Sequence, residues 1–246
     1  MTETMQVTAH ADTHVGLVRD GNEDAYHCGV AVFVVADGLG GHAAGEVASG
    51  IATEHLAALD PTAHEGTQAL QGALVEAVRE ANRAVHAAAG TPERAGMATT
   101  VTAAALTEGQ VVLAHVGDSR AYLVRGGTLQ QLTTDHTAAQ HAVEAGLLTP
   151  EQAATRPERH MLSRAVGLDS DVTVDAPPPL ALQSGDRLLL CSDGLTEAVD
   201  EAAIPAIIDE RPAPEDACRA LVQAALDGGG PDNVTVLLVA VHGPAA

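Results

Sequence analysis

Apolar residues in this chain follow two rhythms. Between 67 and 89, Leu70, Leu74, Val78, Ala81 and Val85 recur at helical spacing and predict an amphipathic helix. Val47, Ile51 and Leu59 do the same over 43–59, where Asp60-Pro61 ends the helix. Other stretches are continuously apolar. Residues 30–36 read Val-Ala-Val-Phe-Val-Val-Ala, the pattern of a buried strand, and 234–241 is similar. Short strands are expected at 99–106, 111–116, 121–124 and 128–132. The turns Glu108-Gly109, Gly117-Asp118 and Gly126-Gly127 space them as one antiparallel meander. Strands are also expected at 6–10, 26–28, 172–174 and 187–191, and helices at 201–209 and 215–226. Strands in blocks, with helices paired between them, predict α+β layers rather than βαβ units. One domain over 1–246 is expected, with Pro177-Pro178-Pro179 as a stiff local connector.

Charge narrows the function. The chain has 33 acidic and 12 basic residues, a formal charge of −21, which argues against coating nucleic acid or an anionic membrane. Every base is arginine, so neither a Walker A lysine nor a Schiff-base lysine is present. Cys28, Cys191 and Cys218 form no metal or disulfide pattern. The N-terminus lacks an apolar leader, and no run approaches the ~20 apolar residues of a membrane span. A cytoplasmic protein is expected.

The acids suggest the chemistry. Glu23-Asp24, Asp37-Gly38, Gly117-Asp118, Ser192-Asp193-Gly194 and Asp232-Asn233 all sit in turns at strand ends. One Asp-Gly is usually only a turn. Several carboxylates converging on one cleft repel one another unless a cation neutralises them, and oxygen-only ligation suits Mg²⁺ or Mn²⁺. Gly38-Leu39-Gly40-Gly41-His42-Ala43 matches a dinucleotide fingerprint, but Asp37 would repel a pyrophosphate and no second strand carries the ribose-binding acid. Asp169-Ser170-Asp171 opens like a calcium loop, but Val174 replaces its glycine and the twelfth-position Glu is missing.

The ordered blocks then resemble a known family. They are Gly16-Leu17-Val18-Arg19-Asp20-Gly21-Asn22-Glu23-Asp24, Val35-Ala36-Asp37-Gly38-Leu39-Gly40-Gly41-His42, Met97-Ala98-Thr99-Thr100, His115-Val116-Gly117-Asp118-Ser119-Arg120, Ser163-Arg164-Ala165-Val166-Gly167, Leu190-Cys191-Ser192-Asp193-Gly194 and Asp232-Asn233-Val234-Thr235. Together they resemble the protein phosphatase 2C (PPM) type of metal-dependent serine/threonine phosphatase, in its short bacterial form. The resemblance implies a four-layer αββα sandwich with two central antiparallel sheets flanked by helix pairs. Asp37 and the Gly38 carbonyl, with Asp193 and Asp232, would bind two core Mn²⁺ or Mg²⁺ ions. Glu23, Asp24 and Asn233 would act through water or behind the ligands. Asp118, with Asp193, resembles the pair that holds a third, weaker ion.

Arg19 resembles the phosphate-gripping arginine. A mobile flap is recognisable over roughly 135–165, although its end, Arg156-Pro157-Glu158-Arg159-His160, departs from the usual His-Pro-x-Arg-Asn. Ala98 stands where a glycine is usual. The expected reaction is hydrolysis of protein phosphoserine and phosphothreonine by in-line attack of a metal-bridging hydroxide, with His42 as candidate general acid. Substrates would be phosphoproteins, including Ser/Thr kinases, and the enzyme a monomer. The alternatives are a partner-switching phosphatase acting on one small phosphorylated antagonist, and a catalytically dead regulatory module, which the intact Asp37, Asp193 and Asp232 disfavour. The chain stops soon after its last strand, so no juxtamembrane tail is expected.

Overall fold

The continuously apolar strands run between two layers, so each of their faces is buried. The computed structural model describes residues 6–40 and 44–243. Its strands are β1 (Gln6–His14), β2 (Asp24–Cys28), β3 (Val32–Leu39), β4 (Ala98–Thr99), β5 (Val101–Thr107), β6 (Gln110–Val116), β7 (Arg120–Arg125), β8 (Thr128–Gln131), β9 (Leu180–Ala181), β10 (Arg187–Cys191) and β11 (Val234–His242). Its helices are α1 (Gly45–Ala57), α2 (Thr67–Ala88), α3 (Ala138–Glu144), α4 (Pro150–Ala154), α5 (Asp193–Ala198), α6 (Ile204–Asp209) and α7 (Pro214–Asp227). One sheet has the order β1-β11-β10-β7-β8. The other has β2-β3-β5-β6-β9, with β4 paired to β3. All these pairings are antiparallel.

Side-chain alternation divides each central strand between two cores. Val32 and Val34 of β3 face α1 and α2, beside Leu56, Leu70 and Val78. Phe33 and Val35 point the other way, into the layer between the sheets, and meet Leu113, Leu188, Leu190 and Leu237. In β11, Val236 and Leu238 face α5–α7, while Leu237 and Val239 enter the inter-sheet layer. The molecule is therefore the αββα sandwich that the family blocks implied. Among the described residues, no helix is long and apolar enough to cross a membrane.

Three expectations need correction. The four-strand meander is two hairpins in different sheets: β5 pairs with β6 and β7 with β8, and the chain crosses the sandwich between β6 and β7. Gly117 permits that crossing with φ of +113°, where a Cβ would strike Thr100 at 2.5 Å. No strand forms at 172–174. Only Asp175 bridges, to His115, because Pro177-Pro178-Pro179 has no amide hydrogens with which to continue a ladder. Conversely, Ser192-Asp193-Gly194 is more than a turn, since Asp193 opens α5. Gly194 disguises that helix, yet it is required there. Its Cβ would overlap the Asn233 carbonyl oxygen.

Candidate active site

The cleft opens where the two sheets end together. Asp24 and Asp37 are cross-strand partners in β2 and β3, so their side chains emerge on one face. The backbone of Asp37 is fixed from below. Its amide donates to Thr100 Oγ1 (2.9 Å), and its carbonyl accepts Thr99 Oγ1 (2.8 Å) and the Thr100 amide (2.8 Å). This explains the Thr-Thr block in the sequence. Gly38 lies so close to α1 that a Cβ would overlap the Gly45 carbonyl oxygen. Asp118 enters from the crossing, Asp193 from the first turn of α5, and Asp232 from the residues before β11. Ser192 Oγ donates to Asp24 Oδ2 at 2.8 Å and accepts the Thr235 amide at 2.9 Å, joining the two sheets beneath the cleft.

Together Arg19, Glu23, Asp37, Gly38, Asp118, Asp193, Asp232 and Asn233 line a cavity of about 470 Å³, with Asp24 half-buried beside Asp37. His42 lies outside the described residues. The Arg19 guanidinium is 2.5 Å from Asp232 Oδ2. Asn233, expected to act through water or behind the ligands, is held by backbone groups. Its Oδ1 accepts the Glu23 amide (2.7 Å), and its Nδ2 donates to the Val15 and Gly21 carbonyls (2.9 Å each). The whole amide clips the loop that carries Arg19 and Glu23 to the start of β11.

Electrostatics shows how closely the acids converge. Burial, then the charges of Asp24, Asp193, Asp118 and Asp232, holds the Asp37 carboxyl far above its ordinary range. Burial pushes Asp24 up to about 7, against hydrogen bonds from Thr235 and Ser192. Burial and the Asp193 charge push Asp118 up to about 8. Among the described residues, Asp24 Oδ1 and Asp193 Oδ1 are buried with no hydrogen-bond partner. Such atoms are costly unless positive charge meets them. An oxygen-rich, over-charged cleft with orphaned carboxylate oxygens fits hard divalent cations.

The pattern along the chain did not reveal Glu197 or His160. Glu197 stands one helical turn after Asp193 on α5, a spacing readable in the sequence once α5 is recognised. His160 ends a 3₁₀ turn, Pro157–His160, in the flap. Its Nδ1 is 2.7 Å from Glu197 Oε1 and 3.7 Å from Asp193 Oδ2. The flap is rooted on the crossing: the His136 amide donates to the Gly117 carbonyl (2.7 Å), and His136 Nδ1 accepts the Gly117 amide (2.9 Å). A second cavity of about 480 Å³ lies under the flap, between Arg120, Asp135, Thr137, Pro150, Thr196 and Glu201.

This constellation defines a metal-binding phosphatase fold, and comparison with known proteins gives the family. The profile described as Protein phosphatase 2C matches residues 18–227. The serine/threonine protein phosphatase PstP of Mycobacterium tuberculosis is 41% identical over 246 residues, covering 98% of this chain and 46% of PstP. The serine/threonine phosphatase stp of Listeria innocua is 37% identical over 242 residues, covering 94% of this chain and 95% of that protein. The crystal structure of the PstP catalytic domain in complex with two manganese ions superimposes with a TM-score of 0.85 at 40% identity, covering 97% of this chain and all of that one. The chain belongs to the protein phosphatase 2C family. It spans about half the length of the PstP proteins that it matches.

Proposed function

We propose that this chain hydrolyses phosphoserine and phosphothreonine esters in proteins, using divalent cations held by its cleft. The observation that carries the reading is the convergence of Asp24, Asp37, Asp118, Asp193 and Asp232, with two buried carboxylate oxygens lacking partners. Manganese in the PstP complex supports the choice of ion. Asp37, the Gly38 carbonyl, Asp193 and Asp232 would hold two Mn²⁺ or Mg²⁺ ions, and Asp118 with Asp193 a third. The bound ions supply Lewis-acid stabilisation of the phosphoryl charge and make water acidic enough to act as a nucleophile near neutral pH.

The chain's own residues do the rest. Arg19, half exposed at the cleft mouth, would take two phosphate oxygens in its fork and place the phosphorus over the acids. Asp232 sets the reach of that guanidinium before substrate arrives. Asn233 fixes the loop from which Arg19 projects. The Thr99 and Thr100 bonds keep the Asp37 backbone from yielding as charge builds. A leaving serine oxygen needs a proton, and His42 is the proposed donor. The whole of 1–246 would act as one catalytic unit, with the flap over the cleft. The test is release of phosphate from a phosphothreonine peptide and a phosphotyrosine control, with Mn²⁺ and with excess chelator. Mn²⁺-dependent turnover of phosphothreonine alone is expected. Turnover undiminished by chelator overturns the proposal.

A further inference from the structure

We propose that His136 is a positioning residue for the reaction: it grips Gly117 by both its amide and its carbonyl, and through that grip the flap sets where the Asp118 carboxylate stands in the cleft. The inference rests on the phosphatase reading above, in which Asp118 serves the chemistry, and adds a route by which the flap reaches that carboxylate.

His136 lies at the base of the flap, with 2% of its surface exposed. Its amide donates to the Gly117 carbonyl at 2.7 Å, and the Gly117 amide donates to its Nδ1 at 2.9 Å. That carbonyl belongs to the peptide bond leading into Asp118. A glycine has wide conformational freedom, so its contacts must fix it. On the opposite side Gly117 is stopped by Thr100, the residue whose hydroxyl accepts the Asp37 amide. Gly117 is thus clamped between the support of Asp37 and the root of the flap.

Both ends of the flap pass His136. The Ser163 amide donates to the His136 carbonyl at 2.8 Å, the Ala138 amide donates to the Met161 carbonyl at 2.9 Å, and Thr137 bridges Leu162. A shift of the flap therefore carries His136 with it, and Gly117 follows.

The ring is held in the state that the grip needs. A backbone amide only donates, so Nδ1 presents its lone pair and the proton of the neutral ring sits on Nε2. Asp175 Oδ2 waits for that proton at 3.2 Å, and Arg164 Nη1 holds the same carboxylate through Oδ1 at 2.5 Å. The His115 ring packs against the imidazole, with centroids 4.8 Å apart. Burial keeps the His136 pKa below its ordinary value, which favours the neutral ring.

The experiment compares the whole wild-type chain with His136→Asn and His136→Gln. The asparagine Oδ1 falls where Nδ1 stands and can accept the Gly117 amide. Glutamine reaches toward the Nε2 position and leaves that amide unpaired. With Mn²⁺ and a phosphothreonine peptide, kcat of His136→Gln should fall about tenfold or more, the worth of one buried hydrogen bond. KM should stay within about twofold, because Arg19 rather than Asp118 grips the phosphate. His136→Asn should recover most of the lost kcat, whatever the order of the two melting temperatures. Wild-type kcat in His136→Gln, an equal loss in His136→Asn, or a KM that rises in step with the loss of kcat overturns the inference. A wild type without Mn²⁺-dependent turnover overturns the phosphatase reading instead. A measurement on the wild type decides even where the variants fail to fold. In ¹⁵N-labelled protein with diamagnetic Mg²⁺, scalar coupling across the hydrogen bond from the Gly117 amide nitrogen to His136 Nδ1 is expected, and its absence, or a proton on Nδ1 at neutral pH, overturns the inference.

Discussion

Stripped of cations, the protein should lose stability as pH rises from 6.5 to 8, and Mn²⁺ should remove that loss. Asp24 is raised from 3.8 to about 7 and Asp118 to about 8, chiefly by burial, and Asp37 is raised as well. Unfolded aspartates are ionised throughout this window, so the folded state holds extra protons. A folded carboxyl with a raised pKa stabilises at low pH, and the benefit fades as pH climbs through the folded value. Each extra proton is worth about 1.4 kcal/mol per pH unit. One to two protons over this interval give roughly 2–4 kcal/mol. For a chain of this size, that is a fall in melting temperature of roughly 5–15 °C.

The lower bound of the window is chosen because His115, buried and lowered to about 3, and His136, also lowered, act in the opposite sense. A buried neutral histidine costs stability as pH falls below its unfolded value near 6.5. The assay is a thermal melt of chelated protein at several pH values, repeated with Mn²⁺ and with Asp118→Asn. The variant should flatten the slope, because an amide titrates nothing, whereas general repulsion among 33 acids would survive the loss of one. A chelated wild type as stable at pH 8 as at 6.5, or an unchanged slope in Asp118→Asn, refutes the reasoning.

Other expectations follow from single contacts. Arg19→Ala should raise KM for phosphopeptides by roughly 10–100-fold, the worth of a charge-assisted hydrogen bond, and steady-state kinetics checks it. Asn233→Ala removes three bonds to backbone and should cost about 3 kcal/mol, read as a lowered denaturation midpoint. Aspartate should rescue it poorly, having lost the donor. Gly38→Ala places a methyl against the Gly45 carbonyl oxygen and should lower both stability, by about 1–3 kcal/mol, and Mn²⁺ affinity, measured by calorimetry.

The layers were legible because burial on two faces leaves a simple mark. Residues 30–36 and 234–241 read as buried strands from apolar continuity, and β3 and β11 form there, whereas the sandwich itself was implied by the family blocks. Sheet membership was not legible, because the turn at Gly117-Asp118 has the composition of a hairpin. Only the three-dimensional demand for a Cβ-free crossing sends β6 and β7 into different sheets. The acids were legible through their glycine neighbours and the family blocks. For Asn233 the two expected tasks, acting through water or behind the ligands, stayed open, since the sequence cannot say whether an amide faces solvent or three backbone groups. Glu197 escaped because it carries no local signature, and His160 was visible only as part of an altered flap end, since their meeting depends on how that segment folds back over α5.

The interleaving of the two sheets bears on how the protein is made. β11 lies between β1 and β10 at the interior of its sheet, and it is the last strand of the described chain to leave the ribosome. Its pairing with β1 runs from Gln6 opposite His242 to His14 opposite Val234, a long-range closure that slows folding. Asp232 and the Asn233 clip arrive with it. A nascent chain halted at Gly230 therefore owns Asp37, Asp118 and Asp193 but has neither the loop anchor nor the middle of one sheet to hold them in place. The cluster of acids is thus assembled only after β11 has been made, and a chain interrupted before it has these carboxylates with no frame to hold them together.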